Sequence, residues 1–410
     1  MRARIHRGAR EIGGNCVELE SAGRRLLLDL GRPLDDRVDP AAAVPPVGGL
    51  AGDGDGSLLG VVVSHPHLDH YGLLPFARAD LPVYIGKPAA DMIAAAAPFL
   101  RDPVRLAPAG FLEDGRAFAI GPFRITPLRA DHSAFGGFSL VVEADGKTLI
   151  YTGDVRAHGR TAAFRDFLAR APRGADALIV EGTSLASDAP LDRAPCTERA
   201  LEPRIASAVR AAAGVALVAF SPQNVDRWVT VYRAATIGAG RVFVTDVYGE
   251  AIARATGRRA IPHVGHARYR VFVPAAQSRQ ASGLGLDDAC RVPVEEIAAA
   301  PERFALLFRP GIAAALESRG LLRGATLIWS QWRGYLADGR GAATLELLAR
   351  HAMRREDIHT SGHAAPADLR RLARTLRPTS LVPIHTAAPG RFREIYDAVD
   401  LHPDGDWWEV

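Results

Sequence analysis

Lysine is almost missing from this sequence. Only Lys87 and Lys147 stand among its 50 lysine and arginine residues. The positive charge is therefore nearly all arginine, whose planar fork matches phosphate geometry. A compositional preference for arginine and alanine accounts for the same excess without any partner. Cysteine is equally scarce. Cys16, Cys196 and Cys290 lie far apart, which excludes a disulfide framework and a paired-cysteine zinc site and implies a reducing, cytoplasmic setting. Long apolar runs are lacking too. No stretch reaches the length of a membrane span, so no membrane partner is expected. The opening residues, Met-Arg-Ala-Arg-Ile-His-Arg-Gly, are basic but lack the apolar core of a secretory leader.

The chain has 410 residues, 48% of them hydrophobic and 23% charged, enough for two or three domains with substantial cores. A formal net charge of +4 and a pI near 9.1 allow a nucleic-acid partner without requiring one.

Residues 61–75 organise the rest. Val61 to Val63 form an apolar β-branched run that reads as a buried strand. Four potential metal ligands follow within six residues: His65, His67, Asp69 and His70. Pro66 breaks the strand ladder and places them on a loop at the strand's end. Imidazoles with a carboxylate suit zinc, or manganese.

The surrounding pattern is mixed α and β. Two strands around a turn are expected within residues 2–31, a Pro/Gly/Asp-rich loop over 32–57, and a strand over 58–63. A helix is expected over 70–79 and another from Lys87 to Leu100. Phe138–Glu143 and Thr148–Thr152 read as a hairpin closed by Asp145-Gly146. Ala177–Val180 is a buried strand that ends in Glu181. From 184 to 355 the rhythm changes to strand–helix–strand, which predicts a parallel sheet with right-handed crossovers. Residues 255–300 read as loop with some helix. The earlier style returns from 356, with a helix over 365–376, a strand over 380–384 and a tail helix near 390–398.

Seven candidate ligands then share one property. His65, His67, Asp69, His70, His132, Asp154 and His385 each sit at or just past the end of an expected strand. Taken singly, His132 reads as a structural histidine, Asp154 as a turn residue and His385 as a core histidine. Together with the first cluster they match the ligand count of two metals about 3.5–4 Å apart, with one carboxylate bridging.

The sequence at this point resembles a known family. His65-Pro-His67-Leu-Asp69-His70 matches the HxHxDH signature of the metallo-β-lactamase fold, and His132 and Asp154 resemble its third and fourth motifs. The resemblance narrows to the β-CASP branch of nucleic-acid-processing nucleases, which includes ribonuclease J and the endonuclease subunit of messenger-RNA 3′-end cleavage. Gly8–Asn15 is similar to that branch's N-terminal motif. Glu181-Gly-Thr183, Ser361-Gly-His363 and Pro383-Ile-His385 resemble motifs A, B and C. Ser221 to Arg227 resembles a helix-opening segment of the β-CASP domain.

The resemblance implies an α/β architecture, an αββα metallo-β-lactamase sandwich built from residues 1–183 and 356–410, with an inserted α/β β-CASP domain over 184–355. It implies that His65, His67 and His132 hold one zinc and Asp69, His70 and His385 the other, with Asp154 bridging. His363, oriented by Glu181, would stabilise or protonate the leaving group, so Asp69, His363 and Glu181 are the catalytic residues. Ser221, Asn224, Arg227, His359 and Ser361 would contact substrate phosphates, and for each a cap or turn role is the alternative. The expected activity is zinc-dependent hydrolysis of single-stranded RNA by two-metal hydroxide attack, the strand entering between the domains, with a homodimer as a further partner. DNA is the nearest alternative substrate. A thioesterase or lactonase on the same fold and a non-catalytic scaffold are the rival readings. Thr386-Ala-Ala-Pro stands where ribonuclease J enzymes commonly carry Gly-Glu, and 25 residues follow His385. Trp329, Trp332 and Tyr335, in a stretch with no familiar pattern, read as base-stacking residues or as core.

Overall fold

The computed structural model describes residues 1–410 apart from 53, 187–189, 193, 338 and 340. The chain divides into two compact units. The first comprises Met1–Ala94, Val104–Pro195 and Gly362–Val410, and the second Ala95–Pro103 and Cys196–Ser361. The divisions expected at 183/184 and 355/356 thus fall at 195/196 and 361/362. The cause of the second shift is local: Arg354–Asp357 pairs in parallel with Thr326–Trp329, so the residues just after it stay with that sheet. The 95–103 segment joins the second unit because the Phe99 ring packs 5.2 Å from Tyr248 and Gln280 Nε2 donates to the Pro98 carbonyl at 3.0 Å.

The first unit contains two sheets. One runs Trp407–Glu409, Arg2–Arg7, Cys16–Ser21, Arg24–Leu28, Leu58–Val63, Val83–Gly86, Gly110–Leu112 in spatial order. The other runs Ser380–Ile384, Ala177–Glu181, Lys147–Tyr151, Phe138–Ala144, Phe123–Arg129, Phe118–Ile120. The two-residue period of a strand explains the layers. Val62 joins Leu26, Leu28, Leu140, Val142 and Leu149 in the core shared by both sheets. Its neighbours Val61 and Val63 point the other way, onto Tyr71, Leu74, Ala89 and Ile93. In the second sheet Ile150, Leu178 and Leu381 pack beneath Phe164, Phe167, Leu369 and Leu372. Each sheet is covered on both faces, which gives the αββα sandwich.

Three local differences have physical causes. Residues 2–31 hold three strands rather than two, because Arg2–Arg7 finds partners in Cys16–Ser21 and Trp407–Glu409. The helix expected over 70–79 is instead Leu68–Tyr71 and a short 3₁₀ turn, Leu74–Phe76, separated by Gly72 and carrying Pro75. The tail helix is a 3₁₀ segment, Pro389–Glu394.

The second unit is a six-stranded sheet in the order Tyr269–Val271, Val242–Thr245, Phe304–Leu307, Ala216–Ala219, Thr326–Trp329, Arg354–Asp357, and every pairing is parallel. Helices Glu198–Ala211 and Val225–Arg233 pack on one face with Ala216 and Val218. Pro310–Glu317 and Ala342–Arg350 pack on the other with Leu217 and Ala219. Covering both faces explains the short, wholly apolar strands. Tyr269–Val271, inside the stretch read as loop, is a three-residue edge strand with an exposed central arginine. Among the described residues no helix is long and apolar enough to cross a membrane.

Candidate metal centre and active site

The strand Leu58–Val63 ends at Ser64, and His67, still extended, opens the helix Leu68–Tyr71 that carries Asp69 and His70. That helix is pinned by the neighbouring strand ends: Asn15 N–H donates to the Asp69 carbonyl at 3.0 Å and Leu30 N–H to the His70 carbonyl at 2.9 Å. The approach is so close that a Cβ on Gly31 would lie 1.7 Å from the Asp69 carbonyl oxygen. His132 follows Phe123–Arg129, Asp154 follows Lys147–Tyr151, and His385 follows Ser380–Ile384.

The fold brings all seven expected ligands into two groups. His65, His67, His132 and Asp154 each place a donor atom within 4.8 Å of the others, and so do Asp69, His70, Asp154 and His385. Asp154 belongs to both. Its Oδ2 lies 3.5 Å from His65 Nε2, 3.3 Å from His70 Nε2 and 3.7 Å from His132 Nε2, while its Oδ1 is 3.7 Å from His385 Nδ1. Asp69 Oδ2 stands 3.8 Å from His385 Nε2 and 3.9 Å from His70 Nε2.

A further set of buried groups aims these rings, and sequence reading had not assigned it. Asp29 Oδ2 is 2.7 Å from His70 Nδ1 and also accepts from the Ser64 hydroxyl at 2.7 Å and the Tyr151 hydroxyl at 2.6 Å. Ser64 Oγ is 3.0 Å from His65 Nδ1, and Asn15 Oδ1 is 2.9 Å from His385 Nδ1. Asn15 Nδ2 closes the loop by donating to the Tyr151 oxygen at 3.2 Å. Asp29 and His385 both adopt left-handed backbone, with φ of 60° and 54°, a conformation that non-glycine residues keep only where surrounding contacts impose it. The signal available for Asp29 was its place at a strand end, the property its seven neighbours share.

Electrostatics follow from burial and these partners. Burial pushes His65 and His132 well below the usual imidazole range and His67 to about 4, and it also lowers His385. Neutral rings are the metal-binding form. His70 is the exception: burial pulls it down, but Asp154, Asp29 and Asp69 together outweigh this and hold it well above the usual range. Burial raises the Asp154 carboxyl, and His385, His70 and His363 more than reverse this, so it stays ionised.

His363 also belongs to this unit. Gly362 allows its approach, since a Cβ there would meet the Ser133 hydroxyl at 2.5 Å. The His363 ring lies 5.1 Å from that of His132 and 5.5 Å from that of His385. Its Nδ1 is 3.6 Å from Glu181 Oε2, 3.7 Å from Asp154 Oδ2 and 3.2 Å from Thr183 Oγ1. Burial opposes its charge, yet Glu181 and Asp154 prevail and raise it to about 9. Glu181 is wholly buried rather than a surface carboxylate, and accepts backbone N–H bonds from Thr183 at 2.9 Å and Ala364 at 3.1 Å.

The five expected phosphate contacts all lie in the second unit. Ser221 and Ser361 are exposed. The Asn224 side chain caps Val225–Arg233 by accepting the Arg227 N–H at 3.1 Å. Arg227 corrects the expectation. It is fully buried, meets both Glu198 oxygens at 3.0 and 2.9 Å, and donates to the Ser330 carbonyl and hydroxyl at 2.7 Å each. Its fork is spent on interior acceptors, so it is an internal tie and not a phosphate contact. His359 Nδ1 lies 3.3 Å from Arg227 Nη1.

Residues 24–222 match the family described as a beta-lactamase superfamily domain, and residues 349–389 match a Zn-dependent metallo-hydrolase RNA specificity domain. Ribonuclease J of Mycobacterium tuberculosis is 25% identical over 405 residues, spanning 92% of this chain and 67% of its own length. The chain belongs to the β-CASP, ribonuclease J-like branch of the metallo-β-lactamase superfamily. An RNase J-like protein of Methanocaldococcus jannaschii is 31% identical to this β-CASP chain over 170 residues, covering 37% of it and 36% of the relative. A solved Enterococcus faecalis protein of unknown function shares the fold with a TM-score of 0.82 at 20% identity, over 99% of each chain. As a β-CASP protein the chain is a metal-dependent hydrolase, and its own residues fit the metal. His65 Nε2, His70 Nε2 and both Asp154 oxygens are buried without a hydrogen-bond partner, an arrangement that costs free energy unless a cation satisfies it. Five imidazoles and two carboxylates are a donor set for a divalent ion.

Proposed function

We propose that this protein is a ribonuclease that hydrolyses phosphodiester bonds in single-stranded RNA, using two zinc ions held by the two ligand groups that share Asp154. Asp154 carries the reading, since a carboxylate common to two four-donor groups is the feature a paired-metal site requires. Bound there, the ions would lower the pKa of water and neutralise charge on the phosphate. His65, His67 and His132 would hold one, and Asp69, His70 and His385 the other.

The remaining chemistry belongs to the protein. His363, charged at neutral pH beside Glu181, can donate a proton or hydrogen bond where negative charge develops on a phosphate or leaving oxygen. Glu181, fixed by two backbone N–H groups, keeps that ring oriented and protonated. RNA as the substrate is supported by the RNA specificity domain match at 349–389 and by the ribonuclease J relatives.

The test is incubation of the purified chain with 5′- and 3′-labelled single-stranded RNA and DNA, with and without chelator. RNA should be cut, chelator should stop cleavage and zinc should restore it. Asp154→Ala and His363→Ala should each abolish cleavage while the protein stays folded. Chelator-resistant cleavage, or cleavage of DNA alone, would refute the reading.

A further inference from the structure

The second unit presents an aromatic that the hydrolytic chemistry leaves unused. Trp332 is 59% exposed, although burying an indole is among the larger apolar gains open to a side chain. It stands at a defined place in the topology. Ala216–Ala219 and Thr326–Trp329 are adjacent and parallel, with Ala219 opposite Trp329. The loop after the first strand leads to Val225–Arg233 on one face of the sheet, whose Trp228 and Val231 pack with Ala216 and Val218. The chain after the second leads to Ala342–Arg350 on the opposite face, whose Leu347 packs with Leu217 and Leu327. Two loops that part to opposite faces mark a topological switch point, where open parallel sheets usually form a ligand crevice at the carboxyl ends of their strands. Arg227 ties its floor together by reaching from the first helix to Ser330.

We infer that this crevice is a subsite for single-stranded RNA in which one nucleobase stacks on Trp332, an assignment that rests on the ribonuclease reading. The ring is a preset platform. It covers Gly334 so closely that a Cβ there would lie 2.1 Å from it, and Tyr335 braces it edge-on at 5.5 Å and 90°. The Trp332 carbonyl accepts Trp329 Nε1–H at 3.4 Å and the Tyr335 N–H at 3.3 Å. Little freedom remains to be lost on binding. Next to it in the chain Arg333, three-quarters exposed, is held by Asp357 at 2.9 Å, and the loop after the adjacent strand Ala216–Ala219 carries the exposed Ser221. One flat aromatic next to a guanidinium matches a base with its backbone phosphate, whereas a protein partner calls for a broader apolar patch.

The experiment measures binding of the full chain to a fluorescein-labelled oligouridylate and to the same oligonucleotide made abasic at every internal position, in chelator so that nothing is cut. The unmodified protein should prefer the base-bearing strand by about tenfold. Trp332→Ala should remove that preference, Trp332→Phe should keep most of it, and the salt dependence should be the same in all three, because stacking releases no counterions. An unaltered preference in Trp332→Ala overturns the subsite. A shift in sedimentation behaviour on that substitution also overturns it, since the ring would then pack between copies of the chain. If the unmodified protein binds neither strand and cuts no RNA, the ribonuclease reading fails first and the subsite with it.

Discussion

The Oδ2 atom of Asp29 lies 2.7 Å from His70 Nδ1 and takes the Tyr151 hydroxyl at 2.6 Å. One oxygen thus sets the tautomer of a ligand on the first sheet and anchors it to a strand of the second. Groups that orient metal-binding histidines in this way typically carry 10–100-fold in affinity. Asp29→Ala should weaken metal retention by about that factor, read by competition with a graded series of chelators. Tyr151→Phe removes a single donor and should have the smaller effect. Equal retention in Asp29→Ala and the unmodified protein would show that the contact does not tune the site.

Arg227 separates two roles by their readout. A phosphate contact would alter RNA affinity and leave stability alone. A buried ion pair broken on one side leaves an uncompensated charge, which costs roughly 3–5 kcal/mol. With both side chains of the Arg227–Glu198 pair fully buried, Arg227→Ala should lower the urea midpoint markedly. Glu198→Ala should match it, and the double variant should lose less than the sum. Additive losses would mean that the two residues act independently.

Glu18 gives the pH dependence. It is buried and receives Arg4 at 2.5 Å, Arg25 at 2.8 Å and His6 at 2.7 Å. Burial pushes its carboxyl up, but these three partners prevail and hold it at about 2, below the ordinary 4.5. A value depressed by folding adds stability that is fully present above the unfolded value and is lost as pH falls through the folded one. The contribution is about 3 kcal/mol and disappears between roughly pH 5 and pH 2. Glu18→Gln should therefore be the less stable protein at pH 7 and should converge with the unmodified one near pH 2. Parallel stability curves across that range would contradict the assignment.

Gly31 is a steric test of the same centre. A methyl group there would overlap the Asp69 carbonyl, 1.7 Å away. Gly31→Ala should displace the helix that bears Asp69 and His70, reduce bound metal measured by elemental analysis, and cost on the order of 1–3 kcal/mol. Gly23→Ala, with open space around its Cα, should leave metal content unchanged, although its positive φ adds some strain.

The centre was readable where chemistry and periodicity coincide. A run of apolar residues ending in His65, His67, Asp69 and His70 announces both a buried strand and a ligand loop, and the parallel strands of the second unit show as short apolar runs between helices. Strands Arg2–Arg7 and Trp407–Glu409 were not readable, because each is polar or aromatic and their mutual pairing joins the two far ends of the chain. Asp29 looked like any aspartate after a strand until the fold set it against His70, 41 residues later. Arg227 read as a phosphate contact because the groups that bury it, Glu198 and Ser330, lie 29 and 103 residues away.

The interrupted course of the first unit has a consequence for synthesis. The ligand group of His65, His67, His132 and Asp154 is complete in the nascent chain well before His385 leaves the ribosome, and the edge strand Ser380–Ile384 that presents His385 arrives with it. Elongation at about 5–20 residues per second makes that delay tens of seconds. For that time the nascent polypeptide carries six of the seven candidate ligands and an unfinished sheet, and the second ligand group is completed only when His385 emerges.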